Sequence, residues 1–360
     1  MLQPEALPLI DASGSCAIAS DFDNDGDMDL FVGGRVEVQQ YPLAPKSYLL
    51  ENKNGKFVDR SEVLNEEEGR LGMVTSAIWT DMNSDAQSDL IVVGEWMPIR
   101  VLINTNGQLI DKTSELGLSN LTGWWTQIEA ADLDNDGDDD YVIGNYGLNS
   151  FYKTSPQKPL EIYARDFDLN GSIDPVVTMY SGDDRYMVHT LKVLTSQIPG
   201  MKNRFKTYSS YGEATFEMAF TNAELKDAKH LDCKVLSSII LENIGGSPLE
   251  VHDLPLDVQF SPIQAIEFYD LNSDQHLDII MVGNSIHEET TTGFYDASYG
   301  NVLLNMGQFT WRSVAPSQSN FIANGYKKSL ELIKMGNAPV LLVSENNGKL
   351  AGFNIQTSGK

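Results

Sequence analysis

One nine-residue pattern occurs five times in this chain of 360 residues. Every copy has Asp at position 1, Asp or Asn at positions 3 and 5, and Asp at position 9. The copies, named loops 1 to 5, span residues 21–29, 81–89, 132–140, 166–174 and 270–278. Because a recurring sequence unit predicts a recurring structural unit, this pattern constrains the architecture more than any other feature of the chain.

The odd positions of each loop offer hard oxygen ligands. Ca²⁺ takes six to eight such oxygens in a flexible geometry, and a backbone carbonyl at position 7 can join the side chains. We therefore expect up to five Ca²⁺ sites, with His276 contributing only its main-chain carbonyl. The candidate ligands are Asp21, Asp23, Asp25, Asp27, Asp29, Asp81, Asn83, Asp85, Gln87, Asp89, Asp132, Asp134, Asp136, Asp138, Asp140, Asp166, Asp168, Asn170, Ser172, Asp174, Asp270, Asn272, Asp274, His276 and Asp278.

The sequence on either side of the loops excludes an EF-hand. That motif needs a bidentate Glu at position 12 between two helices. Position 12 is apolar in all five loops, where it is Val32, Val92, Ile143, Val177 and Met281. Short apolar, β-rich runs precede and follow each loop, so the pattern predicts strand, loop, strand.

The five loops differ in ligand charge and in turn geometry. Loops 1 and 3 carry every acidic ligand and have Gly at position 6, where glycine permits a sharp turn. Loops 2 and 5 have Ala86 and Gln275 there, and loop 4 has the neutral Asn170 at position 5. We expect loops 1 and 3 to bind Ca²⁺ most tightly. For any single loop, the alternative is a solvated turn without metal.

Charge is concentrated in the loops. Twenty of the 51 acidic residues lie in them, and without those twenty the formal net charge falls from −26 to −6. Nucleic-acid binding needs a basic face, which this distribution argues against. The acids are also spaced and not grouped in one block, which argues against an acidic disordered tail.

Further strands follow most loops as hairpins with an Asn before a turn glycine. Loop strand, second strand and hairpin together predict a four-stranded antiparallel unit. Such a unit buries both faces when copies close into a ring, so we predict an all-β, single-domain β-propeller over residues 1–360. Units start near residues 16, 75, 125, 160 and 264, and a degenerate unit without an acidic loop spans 321–357, with residues 1–10 as its outer strand. The spacing from loop 4 to loop 5 is about twice the others and leaves room for another unit, which favours seven blades over six.

The loop sequence, followed by Leu, two apolar residues and Gly, and then by Leu-x-x-Asn-x-x-Gly-x-Phe, resembles the FG-GAP/VCBS repeats of integrin α-subunit propellers. Bacterial relatives of the cartilage-acidic-protein type are similar as well. The resemblance covers nearly the whole chain. It implies a calcium-bearing propeller for adhesion or for recognition of a protein or glycan, in a secreted or cell-surface protein such as the outer-membrane-associated proteins of Bacteroidetes-type bacteria. No signal peptide opens the chain and no apolar run is long enough to span a membrane, so we expect a part of a longer protein.

Residues 183–230 are expected to form an insertion, with two or three short helices between about 190 and 228. Cationic and aromatic side chains are interleaved there: Lys192, Lys202, Arg204, Lys206, Phe205, Tyr208 and Tyr211. They form either a recognition surface or a packed connection to the sheet beneath. The same two alternatives, ligand stacking or packing between blades, apply to Trp96, Trp124 and Trp125.

No nucleophile or nucleotide motif is found, so a non-catalytic module is favoured. The alternative is a propeller enzyme that acts on polysaccharide, with its site on the face that carries the insertion. Cys16 and Cys233 are too few for a disulfide framework, although a single bond between them is compatible with the sequence.

Overall fold

A computed structural model describes residues 6–11, 13–64, 69–245, 248–286, 292–336 and 338–356. Within these residues the protein is mostly β, with 24 strands in six antiparallel sheets. Sheets 1 to 5 each contain the loop of the same number, which joins two paired strands as the sequence predicts. Sheet 6 has no acidic loop.

The strands are numbered in chain order. Sheet 1 contains β1 (Ser13–Ser20), β2 (Asp29–Val36), β3 (Tyr48–Lys53) and β4 (Lys56–Asp59); sheet 2 contains β5 (Met73–Thr80), β6 (Asp89–Pro98), β7 (Arg100–Asn104), β8 (Leu109–Asp111) and β9 (Thr122–Trp124), which pairs with β6. Sheet 3 contains β10 (Gln127–Ala131), β11 (Asp140–Gly144), β16 (Ile239–Glu242) and β17 (Glu250–Asp253); sheet 4 contains β12 (Leu160–Arg165), β13 (Asp174–Ser181), β14 (Asp184–Met187) and β15 (Lys229–Cys233). Sheet 5 contains β18 (Ile263–Tyr269), β19 (Asp278–Gly283), β20 (Asn301–Asn305) and β21 (Trp311–Ser313); sheet 6 contains β22 (Lys327–Met335), β23 (Ala338–Glu345) and β24 (Ala351–Asn354).

The strand that follows each loop is the most apolar part of its sheet. β6 and β19 are buried along nearly their whole length, because each is paired on both sides and covered on both faces. Strands buried in this way read as continuous apolar runs, as Leu90–Val93 and Ile279–Val282 do.

The sheets pack face to face in the order 1, 2, 3, 5, 6. The first strand of each sheet contacts the first strand of the next: β1 contacts β5, β5 contacts β10, β10 contacts β18, and β18 contacts β22. A separate hydrophobic cluster fills each gap; Val74 and Phe31 belong to the one between sheets 1 and 2, and Ile128 and Ile91 to the one between sheets 2 and 3. The core is therefore divided into layers between sheets.

Sheet 4 lies outside this succession. Its four strands and the helical insertion come between β11 and β16, which pair with each other as neighbours in sheet 3. The outer strand β15 packs against β6 and β9 of sheet 2. This insertion accounts for the long spacing between loops 4 and 5, where the sequence leaves room for another blade.

Five short helices lie within the insertion, which confirms its predicted helical character but exceeds the two or three helices expected. They correct the all-β expectation to mostly β. They are α1 (Leu191–Gln197), α2 (Met201–Arg204), α3 (Tyr208–Gly212), α4 (Phe216–Ala219) and α5 (Asn222–Leu225). Threonine side chains cap four of them, since Thr190, Thr207, Thr215 and Thr221 accept hydrogen bonds from first-turn backbone N–H groups. Elsewhere there are α6 (Pro316–Ser319) and 3₁₀ turns at Ser61–Val63, Leu118–Asn120 and Leu256–Phe260.

The N-terminal segment lies against sheet 1. The Ala6 carbonyl accepts a 2.8 Å hydrogen bond from the Phe57 N–H in β4, and the Asp11 carboxylate accepts one of 2.7 Å from the Tyr48 hydroxyl in β3. The expected pairing of residues 1–10 with the last sheet does not occur among the residues that the structure describes, and residues 1–5 lie outside them.

Candidate metal centres

All five loops share one internal hydrogen-bond pattern. The position 1 carboxylate accepts two backbone N–H groups of its own loop, as Asp21 does from Asp25 and Gly26 at 3.0 Å each. Asp81, Asp166 and Asp270 make the same two bonds. Asp132 also accepts two N–H groups, from Gly137 and from Asn135 at position 4 of the loop. The position 5 side chain then accepts the N–H of position 7 in every loop. The turn is thus held by side chains that are also candidate ligands.

Position 9 joins the loop to its sheet. Asp29 is fully buried, and its two oxygens accept N–H groups from Phe22 at 3.2 Å and from Asn52 on β3 at 2.7 Å. Asp89, Asp140 and Asp278 make the same pair of bonds, whereas Asp174 makes only the first. Burial raises the pKa of Asp29 and Asp89 to about 6 and that of Asp140 to about 7, and the N–H donors oppose this rise.

Three loops bring carboxylates together. In loop 1 these are Asp21, Asp23 and Asp29, in loop 4 Asp166, Asp168 and Asp174, and in loop 3 Asp132, Asp134 and Asp136, with ligand atoms within 4.8 Å of one another in each group. Buried oxygens of Asp23, Asp27 and Asp168 have no hydrogen-bond partner. Because a buried carboxylate oxygen without a donor is costly, these atoms fit a bound cation.

Loops 2 and 5 are closed differently. Asn83 donates its side-chain amide to Asp85 at 3.0 Å, and Asn272 donates to Asp274 at 2.8 Å. An amide at position 3 therefore satisfies the neighbouring carboxylate without metal. At position 6, Ala86 and Gln275 have φ of 63° and 75°, in the left-handed region that the sequence predicts as a source of strain.

The loops of successive sheets also contact one another. Ser84 of loop 2 donates to Asp138 of loop 3 at 2.9 Å, and the Asn135 amide of loop 3 lies 2.9 Å from the His276 ring of loop 5. The position 7 side chains of these loops thus serve contacts between loops, while Gln87 accepts the N–H of Asn106 on its own sheet at 2.6 Å. The candidate ligands thus lie in five separate turns and are not gathered into one shared site within the described residues.

An asparagine on the third strand, which the sequence does not mark as functional, connects neighbouring sheets. The side-chain amide of Asn104 donates to the Phe22 carbonyl of loop 1 at 2.6 Å. Asn243 and Asn305 donate in the same way to loops 2 and 3, at 3.0 and 2.7 Å. Each is the asparagine of the hairpin turn, so the turn motif also positions the loop of the preceding sheet.

The aromatic residues of the insertion serve mainly packing. Phe205 and Tyr211 belong to the cluster that fixes the helices on β13 and β14, whereas Tyr208 is 70% exposed. Arg204 pairs with Glu224 at 2.8 Å. Lys192, Lys202 and Lys206 are exposed.

Trp96, Trp124 and Trp125 are buried, as the packing interpretation predicts. Trp125 lies in the core between sheets 2 and 3, and Trp96 contacts Trp124 edge-on at 4.9 Å. Cys16 and Cys233 are free thiols and do not form a bond with each other. No helix among the described residues is long and apolar enough to cross a membrane.

The family model of the FG-GAP-like repeat matches residues 21–92 and 81–143. These segments contain loops 1 to 3 and the strand that follows each loop, so this part of the chain is similar to FG-GAP-type repeats. The finer resemblance to cartilage-acidic-type proteins stays a prediction. No curated protein sequence matches the chain.

Solved structures give only distant likenesses. Two crystal structures of BBS1N in complex with ARL6DN, one soaked with lead and one with mercury, are 11% and 10% identical, with TM-scores of 0.26 and 0.25; each match covers 97% of this chain and 94% of the other. Chaetomium thermophilum Sqt1 bound to the N-terminus of ribosomal protein L10 is 10% identical, with a TM-score of 0.29, over 92% of this chain and 82% of the other. Such TM-scores do not define a shared fold.

Proposed function

We propose that this chain is a calcium-stabilised β-propeller module that recognises a protein or glycan in a secreted or cell-surface protein. The observation that carries the proposal is the convergence of three carboxylates in each of loops 1, 3 and 4, with buried oxygens of Asp23, Asp27 and Asp168 that lack donors. Hard oxygens on a turn held by its own backbone suit Ca²⁺, and calcium sites of modest affinity belong outside the cell.

Calcium has a structural role in this proposal. Each ion would neutralise the carboxylates of one turn and so fix the connection between the first two strands of a sheet. Free Ca²⁺ at about twenty times the dissociation constant adds about 1.8 kcal/mol per site. Several such sites together are comparable with the net stability of an ordinary domain.

The packing of the sheets supports the propeller. A cavity of about 420 Å³ is lined by Ser15, Thr75, Thr126, Gln264 and Lys328, from or beside the first strands of sheets 1, 2, 3, 5 and 6. In this arrangement those sheets are successive blades around an axis and sheet 4 is an insertion into the third blade. It gives the chain five ring sheets where the sequence predicts six or seven blades.

The helical insertion is the proposed recognition surface. In a chain of net charge −26, Lys192, Lys202 and Lys206 lie exposed on the same insertion as the exposed Tyr208, and no carboxylate within the described residues forms an ion pair with these lysines. Insertions on a repeat scaffold are common binding sites because the scaffold holds them rigidly. Exposed cations and an exposed aromatic ring on one insertion suit an acidic protein segment or an acidic glycan.

A thermal melt of the purified chain in EDTA and across a calcium titration tests the scaffold. We expect a large, saturable rise in melting temperature with Ca²⁺ and a much smaller one with Mg²⁺ at equal ionic strength, since Mg²⁺ demands a stricter geometry. Equal melting temperatures in EDTA and in calcium would reject the calcium role.

A glycan array and a pull-down of extracellular-matrix proteins test recognition. The matched variants are a triple change of Lys192, Lys202 and Lys206 to Gln, and Tyr208→Ala, all at exposed positions. We expect these variants to lose binding while the melting temperature in calcium stays within about 2 °C. Retained binding by both variants would place the recognition surface elsewhere.

A further inference from the structure

A cluster of Glu242, Glu250 and His252 lies on the β16–β17 hairpin of sheet 3, beside loop 3, whose Asp140 accepts the N–H of Asn243. One ligand atom of each side chain lies within 4.8 Å of the others, and His252 Nε2 lies 2.6 Å from Glu242 Oε2. The His252 ring stacks parallel to Phe309, with centroids 4.8 Å apart, so the imidazole orientation is fixed by a residue of sheet 5.

The two glutamates face each other directly. Glu242 pairs with Glu250 across the antiparallel ladder, and like charges at such positions are destabilising. Within the described residues, neither carboxylate forms an ion pair with a lysine or arginine. The hairpin therefore holds two opposed carboxylates, and His252, paired with Glu242, is the only base that forms an ion pair with either of them in the described part of the chain.

In sheet 1, the glutamate that corresponds to Glu242 is neutralised by an arginine of its own sheet. Glu51, like Glu242, immediately precedes the hairpin asparagine, and it pairs with the Arg60 guanidinium at 2.6 Å. Arg60 lies opposite Leu49 as His252 lies opposite Ile240. The residue opposite Glu51 is Val58, not a second glutamate. At these positions sheet 3 therefore has the imidazole of His252 where sheet 1 has the guanidinium of Arg60, and the carboxylate of Glu250 where sheet 1 has Val58.

Sheet 4 offers a second comparison. His230 Nε2 lies 2.8 Å from Glu161, and its ring stacks on Tyr163 with centroids 4.4 Å apart, much as His252 stacks on Phe309. Arg185 also pairs with Glu161 and so occupies the place that a metal ion would take. Sheets 3 and 4 thus each have a histidine–glutamate pair whose imidazole stacks on an aromatic ring. In sheet 4 the Arg185 guanidinium also neutralises the glutamate.

We propose that Glu242, Glu250 and His252 bind a divalent transition-metal ion of the zinc type. One imidazole nitrogen and two carboxylates are ligands that Zn²⁺ accepts at about 2.0–2.2 Å, with further positions left for water or a ligand. The nitrogen donor distinguishes this centre from the oxygen-only loops, which suit Ca²⁺. The half-buried His252 and the exposed Glu250 leave the centre open to solvent.

Isothermal titration of the full, tag-free chain with ZnCl₂ tests the proposal. Calcium is kept in large excess so that the loops stay occupied. We expect one Zn²⁺ per chain, at least tenfold weaker binding in His252→Ala, and unchanged binding in the matched control His230→Ala. No zinc binding by the unmodified chain below 100 μM, or equal binding by the two histidine variants, would overturn the proposal.

Glu250→Gln keeps the test decisive if His252→Ala does not fold, because Glu250 is exposed and forms no ion pair with a described lysine or arginine. Its zinc affinity should also fall at least tenfold while its melting temperature in calcium is unchanged or higher. Unchanged zinc affinity in this variant would leave only an ordinary histidine–glutamate pair and contradict the proposed centre. Co²⁺ in place of Zn²⁺ gives an independent readout, since visible absorption bands that depend on His252 report nitrogen ligation.

Discussion

Asn104 and Phe22 join two sheets through one buried hydrogen bond. The side-chain amide of Asn104, at the end of β7, donates to the Phe22 carbonyl in loop 1 at 2.6 Å, and Asn104 is fully buried. The same amide also donates to the Ser88 carbonyl of its own loop at 3.1 Å. One side chain therefore ties a hairpin turn, its own loop and the loop of the preceding sheet.

Asn104→Ala should destabilise the protein by about 1–3 kcal/mol more than Asn52→Ala. Asn52 occupies the same position in sheet 1 and makes the corresponding bonds to Met28 and Gly55, but it has no bond to a preceding sheet. The difference in the free energy of unfolding, measured with urea in saturating calcium, reports the connection between sheets. Equal losses in the two variants would show that the bond to Phe22 adds nothing measurable.

Alanine at position 1 should separate the loops by their calcium dependence. Asp21, Asp132 and Asp81 each accept two backbone N–H groups, so in EDTA the three alanine variants should lose similar stability. In calcium, Asp21→Ala and Asp132→Ala should lose more than Asp81→Ala, because only loops 1 and 3 of these three loops bring together three carboxylates. Thermal melts in both conditions give the comparison, and equal melting temperatures of the three variants in calcium would contradict the ranking.

Much of the local structure follows from the sequence. The loops between strands, the Asn–Gly hairpins and the helices near residues 190–228 are all encoded in short stretches, where turn chemistry and periodicity act over a few residues. These features agree with the structure for loops 1 to 5 and for the insertion. The candidate ligands of each loop also fall in one turn, because their spacing is local.

The order of the sheets was not predictable in the same way. Tyr141 pairs with Leu241 across an insertion of about a hundred residues, and no local pattern states which distant strands become neighbours. Loop 4 has the same motif as the others, yet its sheet lies outside the succession. One sequence signal does distinguish it, since no asparagine stands at the end of β14, the third strand of sheet 4, and correspondingly Asp174 lacks the second N–H donor found at Asp29.

Ala86→Gly should stabilise the protein by about 1 kcal/mol. Ala86 has a φ of 63°, and a residue with a Cβ is destabilised by about 1–2 kcal/mol in this region of backbone conformation. Glycine removes this strain, but its greater freedom in the unfolded chain cancels part of the gain. The reciprocal change Gly137→Ala in loop 3 should destabilise, although a Cβ there would meet no atom within 4 Å, because the cost is conformational. Urea denaturation in EDTA measures both, and a stabilising Gly137→Ala would contradict the argument.

Glu129 should make stability depend on pH near neutrality. Its side chain is half-buried on β10, and burial raises its pKa from 4.5 to about 7. Repulsion by Glu267 of sheet 5 and Glu331 of sheet 6 adds to this rise, whereas a 2.8 Å hydrogen bond from the Gln127 amide opposes it. A carboxyl whose pKa is higher in the folded than in the unfolded state stabilises the fold only while it is protonated. Its contribution is therefore complete below about pH 4.5 and is lost as the pH rises to about 7, with a total of at most about 3 kcal/mol.

Glu129→Gln removes this titration while it keeps the shape of the side chain. We expect the variant to be more stable than the unmodified chain at pH 8 and the difference to disappear near pH 5, as measured by urea denaturation in saturating calcium. The buried loop aspartates titrate equally in both proteins, so the difference between the two curves isolates Glu129. Glu331→Gln, at an exposed position, should reproduce only a small part of the effect. Parallel curves for Glu129→Gln and the unmodified chain would show that the Glu129 carboxyl is solvated in the folded state, because only a group whose pKa changes on folding can couple stability to pH.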